Sequence, residues 1–364
     1  MISTTPATMF GAAPRFLQWI IVLAVSLILG AGLFVVGLPA ALLLGPMIAA
    51  IAAGLSGATI RVSNPLSLAA QAIVSMLIAS AMTPEIVVAF LADWPLFVAV
   101  VLATILASSA LGWFMGHRRI VPGTTAVWGS SPGGASAMVL MAEAAGADAR
   151  LVALMQYMRV VMVAAGAALV ARFALDIGDL HPPPVVWFPP LEPGPFAATI
   201  AVAVVGTIVG RWLPISAGAM IVPMIAGATL QGMGVIQITL PEWLLSLAYA
   251  LIGWRIGLGF TRAVVRHAAR VMPMIALSIL ALMTFSAVLA GLLVLLLGID
   301  PLTAYLATSP GGMDSIAVIA ASTPVDLSFV MALQAVRFFI IVLTGPSIAH
   351  FVARRMHPHP PVAS

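Results

Sequence analysis

The sequence predicts an all-α polytopic membrane protein made of two inverted repeats of five transmembrane helices. Each repeat carries a Gly-broken re-entrant or discontinuous segment. Three observations predict this. The composition is too apolar for water, a set of polar residues recurs at one fixed spacing, and the arginines gather on one side of the expected crossings.

Of 364 residues, 62% are hydrophobic and 7% charged, against roughly 25% charged in a soluble domain. This excludes a soluble globular protein and a disordered one. It also argues against a soluble enzyme on a membrane anchor, because no long stretch has soluble composition. With no cysteine there is no disulfide, thiolate metal site, iron–sulfur cluster or cysteine nucleophile. All 15 basic residues are Arg, set singly between apolar spans, so the net charge of +4 is not a nucleic-acid footprint. The first apolar run, Phe16 to Leu38, is longer than a signal-peptide core and has only Arg15 just before it. It reads as the first spanning helix.

The repeat is carried by rare polar residues. Ser131-Pro132-Gly133-Gly134 returns 178 residues later as Ser309-Pro310-Gly311-Gly312. The same spacing pairs Asp148 with Asp326, Gln156 with Gln334, Arg159 with Arg337 and Thr125 with Thr303. Apolar matches are cheap in so greasy a chain; matched Asp, Gln and Arg are not. The organisation predicted is an N-terminal tail (1–15), repeat one (16–180), a Pro-rich linker (181–195), repeat two (196–355) and a C-terminal tail (356–364). Pro182-Pro183-Pro184 and Pro189-Pro190 make the linker unfit to span a bilayer as a helix.

A span needs about 20 mostly apolar residues. Repeat one offers 16–37, 39–56, 67–82, 95–116 and 151–173; repeat two offers 196–212, 214–235, 243–260, 273–297 and 327–350. Before the last span of each repeat lies a Gly-broken segment, 124–146 and 302–323. Arginine marks cytoplasmic loops. If both broken segments turn back, Arg15, Arg61, Arg118, Arg119, Arg150, Arg211, Arg262, Arg266, Arg270, Arg354 and Arg355 share one side and only Arg172 lies opposite. If both cross, Arg211, Arg262, Arg266 and Arg270 move outside. The first arrangement gives ten spans, both termini in the cytoplasm, and halves of opposite orientation, an architecture of secondary transporters.

Gly-Gly and Pro leave backbone groups without intrahelical partners, which a bilayer tolerates only where protein buries them or a polar cavity is lined. The Ser-Pro-Gly-Gly segments are thus either tight structural turns or the lining of a solute site. Ser131, Gly133 and Gly134 form the first, Ser309, Gly311 and Gly312 the second, with Asp314 beside it. Arg159 and Arg337 lie about 8 residues into their spans, ~12 Å deep, where a charge is expensive. Gln156 and Gln334 stand three residues earlier, on the same helical face. These arginines either bind an anionic solute or form structural pairs, Arg159 with Glu143 and Arg337 with Asp314. Asp314 and Glu143 are the candidates for carrying a coupling proton, if burial raises their pKa. Asp148 and Asp326 read as helix N-caps, Pro46 and Pro223 as kinks, and Arg255 as a snorkelling residue at the end of its span. The histidines form no metal-ligand cluster, no nucleotide fingerprint is present, and no catalytic constellation or cofactor site is legible.

At these motifs the sequence resembles the AbrB family of bacterial membrane proteins, which are internally duplicated. Members carry Gly-Pro-Met near the start of each half and Ser-Pro-Gly-Gly later. Here those are Gly45-Pro46-Met47, Val222-Pro223-Met224 lacking the Gly, and both Ser-Pro-Gly-Gly segments with their downstream Gln and Arg. Residues 16–355 share the resemblance. Members bear labels of ammonia monooxygenase or regulator. A monooxygenase needs a redox centre and a DNA-binding regulator a soluble reader domain, and neither is visible in the sequence. The small soluble DNA-binding proteins also called AbrB are a different group. The architecture is also similar to citrate-type 2-hydroxycarboxylate carriers, which have two inverted five-helix halves and are often dimers. Together these imply an inner-membrane protein that moves a small anion by alternating access, with the lipid bilayer and the solute as partners, no nucleic acid, and a homodimer as its assembly. The other readings are a membrane sensor acting on gene expression through a partner and, ranked lower, a membrane enzyme subunit.

Overall fold

The computed structural model describes residues 9–36, 40–121, 123–175, 186–213, 217–311, 316 and 325–356. These form helices, turns and coil, with no strand among the described residues. The first half contains α1 (Met9–Ala12), α2 (Arg15–Val35), α3 (Ala41–Leu55), α4 (Asn64–Ser80), α5 (Pro84–Ala92), α6 (Trp94–His117), α7 (Gly123–Ser130), α8 (Ala135–Ala144) and α9 (Ala149–Leu175). The second contains α10 (Pro193–Trp212), α11 (Gly218–Gly232), α12 (Glu242–Gly257), α13 (Arg262–Leu297), α14 (Pro301–Thr308) and α15 (Leu327–Met356). Helix starts follow local chemistry. Pro stands in the first turn of α4, α5, α6, α10 and α14, where its missing N–H costs nothing. Asp300 accepts a hydrogen bond from the Thr303 amide at 2.9 Å and caps α14.

Each of the ten expected spans contains a helix, and among the described residues six helices are long and apolar enough to cross a membrane. Helices α3 and α11 have 15 residues, α12 has 16 and α4 has 17. At 1.5 Å per residue they reach about 23–26 Å, short of a hydrocarbon core of about 30 Å. The apolar runs overstate α3, α11 and α12 because they continue past the helix, as Leu258 and Phe260 do in the buried turn after α12. Helix α4 and the nine-residue α5 pass the same test as a bent pair, at 56°. Helix α13 is instead longer than expected, at 36 residues with Pro273 inside it. Its added turns carry Arg262, Arg266 and Arg270.

The helices sort into two bundles. In the first, α2 packs on α3, α3 on α12, α10 on α11, and α11 on α4. In the second, α6 packs on α7, α13 on α14, and α7 and α14 each lie against both α9 and α15. Exchanging the halves maps each contact onto another. Both bundles are thus interleaved from the two halves. Within the first, α3 and α12 run in the same direction. Gly253 sits beside Leu43 and Met47, and Gly257 beside Met47 and Ala50. Helices α4 and α11 also run together, with Gly227 beside Met76 and Ala79 and Gly232 beside Met82. Ala40 and Ala217 precede α3 and α11 in the left-handed conformation, each at φ 58°, a strained state for Ala repeated in both halves.

One end of the molecule is rich in arginine. Gln18 exchanges hydrogen bonds with Thr59, Arg255 meets Glu143 and Asn64, and Arg150 donates to the Gly259 carbonyl. Met115, Val121, Leu151 and Val271 share a core cluster at this end. These ties gather Arg15, Arg61, Arg118, Arg119, Arg150, Arg255, Arg262, Arg266 and Arg270. At the other end Phe34 meets Trp187, Thr239 donates to Thr199, and Phe97 meets both Phe90 and Phe329. Glu85, Asp93, Glu192, Glu242, Asp300 and Asp326 lie there.

Candidate functional site

The described parts of the two broken segments are built alike. Helix α7 stops at Ser130, Ser131–Gly134 form the break, and α8 begins at Ala135. The Asp148 amide then donates to Thr125 Oγ1 at 3.1 Å, so the chain after α8 returns to the level where α7 began. In the second half α14 stops at Thr308, followed by Ser309-Pro310-Gly311, and the Asp326 amide donates to Thr303 Oγ1 at 3.2 Å. Gly312 and Asp314 lie outside the described residues.

A helix that stops inside a protein leaves carbonyls without partners. Here a Gln–Arg pair from the following long helix takes them up. Gln156 Nε2 donates to the carbonyls of Trp128 (2.9 Å), Gly129 (3.4 Å) and Ser131 (3.1 Å). Arg159 Nη1 donates to the carbonyls of Ser130 (3.1 Å) and Ser131 (3.0 Å), and its Nη2 to Gln156 Oε1. The second half repeats this. Gln334 donates to the carbonyls of Leu306, Ala307 and Ser309 at 2.7, 3.3 and 3.3 Å. Arg337 donates to those of Ser309 (2.6 Å) and Gly311 (3.1 Å), and to Gln334 Oε1. The positive guanidinium also faces the negative end of each half-helix dipole. The same-face placement of Gln and Arg that the three-residue spacing predicts is therefore what the structure has.

Each break lies against the long helix of the other half. A Cβ on Gly134 would strike Phe338, the neighbour of Arg337, and one on Gly311 would touch Val163 on α9. Gly133 is turned against Met138, its amide on the Ser131 carbonyl. Ser131 Oγ and Ser309 Oγ bond back to carbonyls of their own half-helices, Val127 at 2.8 Å and Leu306 at 3.3 Å. Arg159 and Arg337 are 1% and 2% exposed. Among the described residues no carboxylate pairs with either. Each retains a buried Nε without a hydrogen-bond partner. Helix α8 starts at the break with no side-chain cap, leaving its positive end at the same place. The site therefore concentrates positive charge and free N–H groups, which suits an anion.

Glu143 is not part of this constellation. It pairs with Arg255 at 2.9 Å, across the two bundles, so the Arg159–Glu143 pair does not form. Arg255 in turn does not simply reach for solvent. Asp326 caps α15, accepting from the Phe329 amide at 2.9 Å. Asp148 accepts from the Arg150 amide and side chain. Partial burial opposes its ionised form, but the Arg150 hydrogen bond and charge prevail and hold the carboxyl below the usual aspartate range. Pro46 and Pro223 serve packing. Gly45 lies against Gly30, and Pro223 against Gly206, so Gly206 supplies in the second half the space that Val222 does not. Sequence reasoning gave no role to Thr125 and Thr303, although their place in the repeat was the signal, and it missed Trp128 and Phe338. Among the described residues no three His, Asp or Glu gather as metal ligands.

The family model described as "Transition state regulatory protein AbrB" matches residues 42–353. A protein of Escherichia coli (strain K12) named "Putative regulator AbrB" is 48% identical over 338 residues, covering 93% of this chain and 97% of that protein. A duplicated helical membrane-type fold, two Ser-Pro-Gly-Gly breaks with their Gln–Arg pairs, and a match across most of both chains lead to one statement: the chain belongs to the AbrB family.

Proposed function

We propose that the chain is a secondary transporter that moves a small anionic solute across the bacterial inner membrane by alternating access, without covalent chemistry. The observation that carries this reading is the pair of buried arginines, uncompensated by any described carboxylate, each capping a helix break that lies against the long helix of the other half. Broken helices facing each other across a repeat are the usual setting of a transporter site. The parallel course of α3 with α12 and of α4 with α11 supports opposite orientation of the halves, because repeats of like orientation would run these pairs antiparallel. The Thr125–Asp148 and Thr303–Asp326 bonds support hairpins that enter and leave on one face. The arginine-rich end, by the positive-inside rule, is then cytoplasmic, with both termini.

Orientation is tested first, since the absence of cysteine makes single-Cys labelling clean. An impermeant maleimide on intact cells is expected to label Val235→Cys and to reach Ala147→Cys only after permeabilisation. The reverse pattern would make both broken segments cross and remove the basis for a two-sided site. Function is then tested in proteoliposomes with small labelled mono- and dicarboxylates. Uptake is expected, and Arg159→Lys, which keeps the charge but loses the planar fork, is expected to slow it tenfold or more, on the order of 1.4 kcal/mol. A second reading, a sensor acting through a partner, is favoured by the word regulator in the relative's name. It predicts carboxylate binding without flux, and that result would replace transport as the function.

A further inference from the structure

Discontinuous helices in carriers commonly hold a mobile cation on the carbonyls of the half-helix C-terminus. In this chain those carbonyls are already occupied. At the first break the oxygens of Trp128, Gly129, Ser130 and Ser131 converge on Gln156 and Arg159. At the second, those of Leu306, Ala307, Ser309 and Gly311 converge on Gln334 and Arg337. A guanidinium supplies the same positive charge as a monovalent ion, tethered and unable to dissociate. We infer that Arg159 and Arg337 stand as built-in cations in the two places where a mobile metal cation would otherwise bind, so that solute binding and movement need no Na+.

The inference rests on the transporter reading for its meaning, but its arrangement of charge does not. Both halves build it, which sets it apart from a chance capping contact. The amide groups of Gln156 and Gln334 donate to carbonyls of the same clusters, so the described carbonyls at each break are already engaged. The fixed charges persist whether or not a solute is bound. The class of solute follows: an anion, whose own charge offsets them, rather than a zwitterion accompanied by a cation.

The test compares purified protein in NaCl, KCl and choline chloride at equal ionic strength. The wild-type melting temperature is expected to be the same in all three. A Na+-specific rise of several degrees, the signature of an ion bound to the folded state, would overturn the inference. In Arg159→Ala and Arg337→Ala the emptied carbonyl clusters are expected to become cation sites, giving a melting temperature that rises in NaCl and not in choline chloride. If both variants fold and neither responds, the clusters are not cation-like and the inference fails. If neither folds, the wild-type comparison decides alone. Loss of carboxylate flux on replacing Na+ with choline would also overturn it. An absence of flux under every condition, with the melting pattern intact, would sink the transporter reading and leave the tethered cations standing.

Discussion

Replacing Arg337 with Met is expected to destabilise the second bundle by about 2–5 kcal/mol, from the buried neutral acceptors it leaves short of a donor. Arg337 is 2% exposed and satisfies the carbonyls of Ser309 and Gly311 together with Gln334. Without it the Gly311 carbonyl and Gln334 Oε1 lose this donor, each at about 1–3 kcal/mol, and the Ser309 carbonyl keeps only Gln334. Arg337→Lys keeps one donor and the charge and is expected to lose less. Thermal unfolding of the purified protein in detergent measures both. An Arg337→Met protein that melts at the wild-type temperature would mean the capping role is dispensable. The arginine would then be retained for some other reason, solute contact foremost.

The second large effect is expected from Gly210→Val. A Cβ at position 210 would fall on the Gly218 carbonyl, backbone against backbone, where no side chain can swing aside. Helices α10 and α11 must then separate. Overpacking typically costs about 1–3 kcal/mol and more where the backbone must move, so about 3 kcal/mol or greater is expected. The control is Gly291→Ala on α13, where nothing lies within 4 Å. That change is expected to be neutral or to gain up to about 1 kcal/mol from helix propensity. Equal melting temperatures for the two variants would contradict the close approach of α10 to α11.

Much of this was legible because polar residues are rare in the chain. The Gln and Arg matched across 178 residues cap the two breaks, and the matched Thr and Asp join the starts of α7 and α14 to the chain after each broken segment. A buried helix end needs donors and acceptors of fixed type, so its residues stand out against an apolar background. Helix length was less legible. Hydropathy counts coil as readily as helix, and so it lengthened α3, α11 and α12, and it began α4 and α13 too late because their first turns are polar. The pairing of Arg255 with Glu143, 112 positions away, left no periodic signal, because it depends on how α8 meets α12. Glycine gave the weakest guide. Gly45, Gly206 and Gly253 look alike in sequence, and only the neighbouring backbone reveals which allows close packing.

The two guanidinium groups also bear on how such a molecule would respond to voltage. Arg159 and Arg337 sit on α9 and α15, within the bundle that holds both breaks. If that bundle shifts relative to the membrane, the charges travel with it, and each full crossing is worth about 2.3 kcal/mol per elementary charge per 100 mV. A bound dianion would cancel them. The loaded form then moves almost indifferent to membrane potential, while the empty form moves as a cation, drawn toward the negative interior. Voltage in that case governs the return step alone, and an inside-negative membrane would hold the unloaded site facing the cytoplasm.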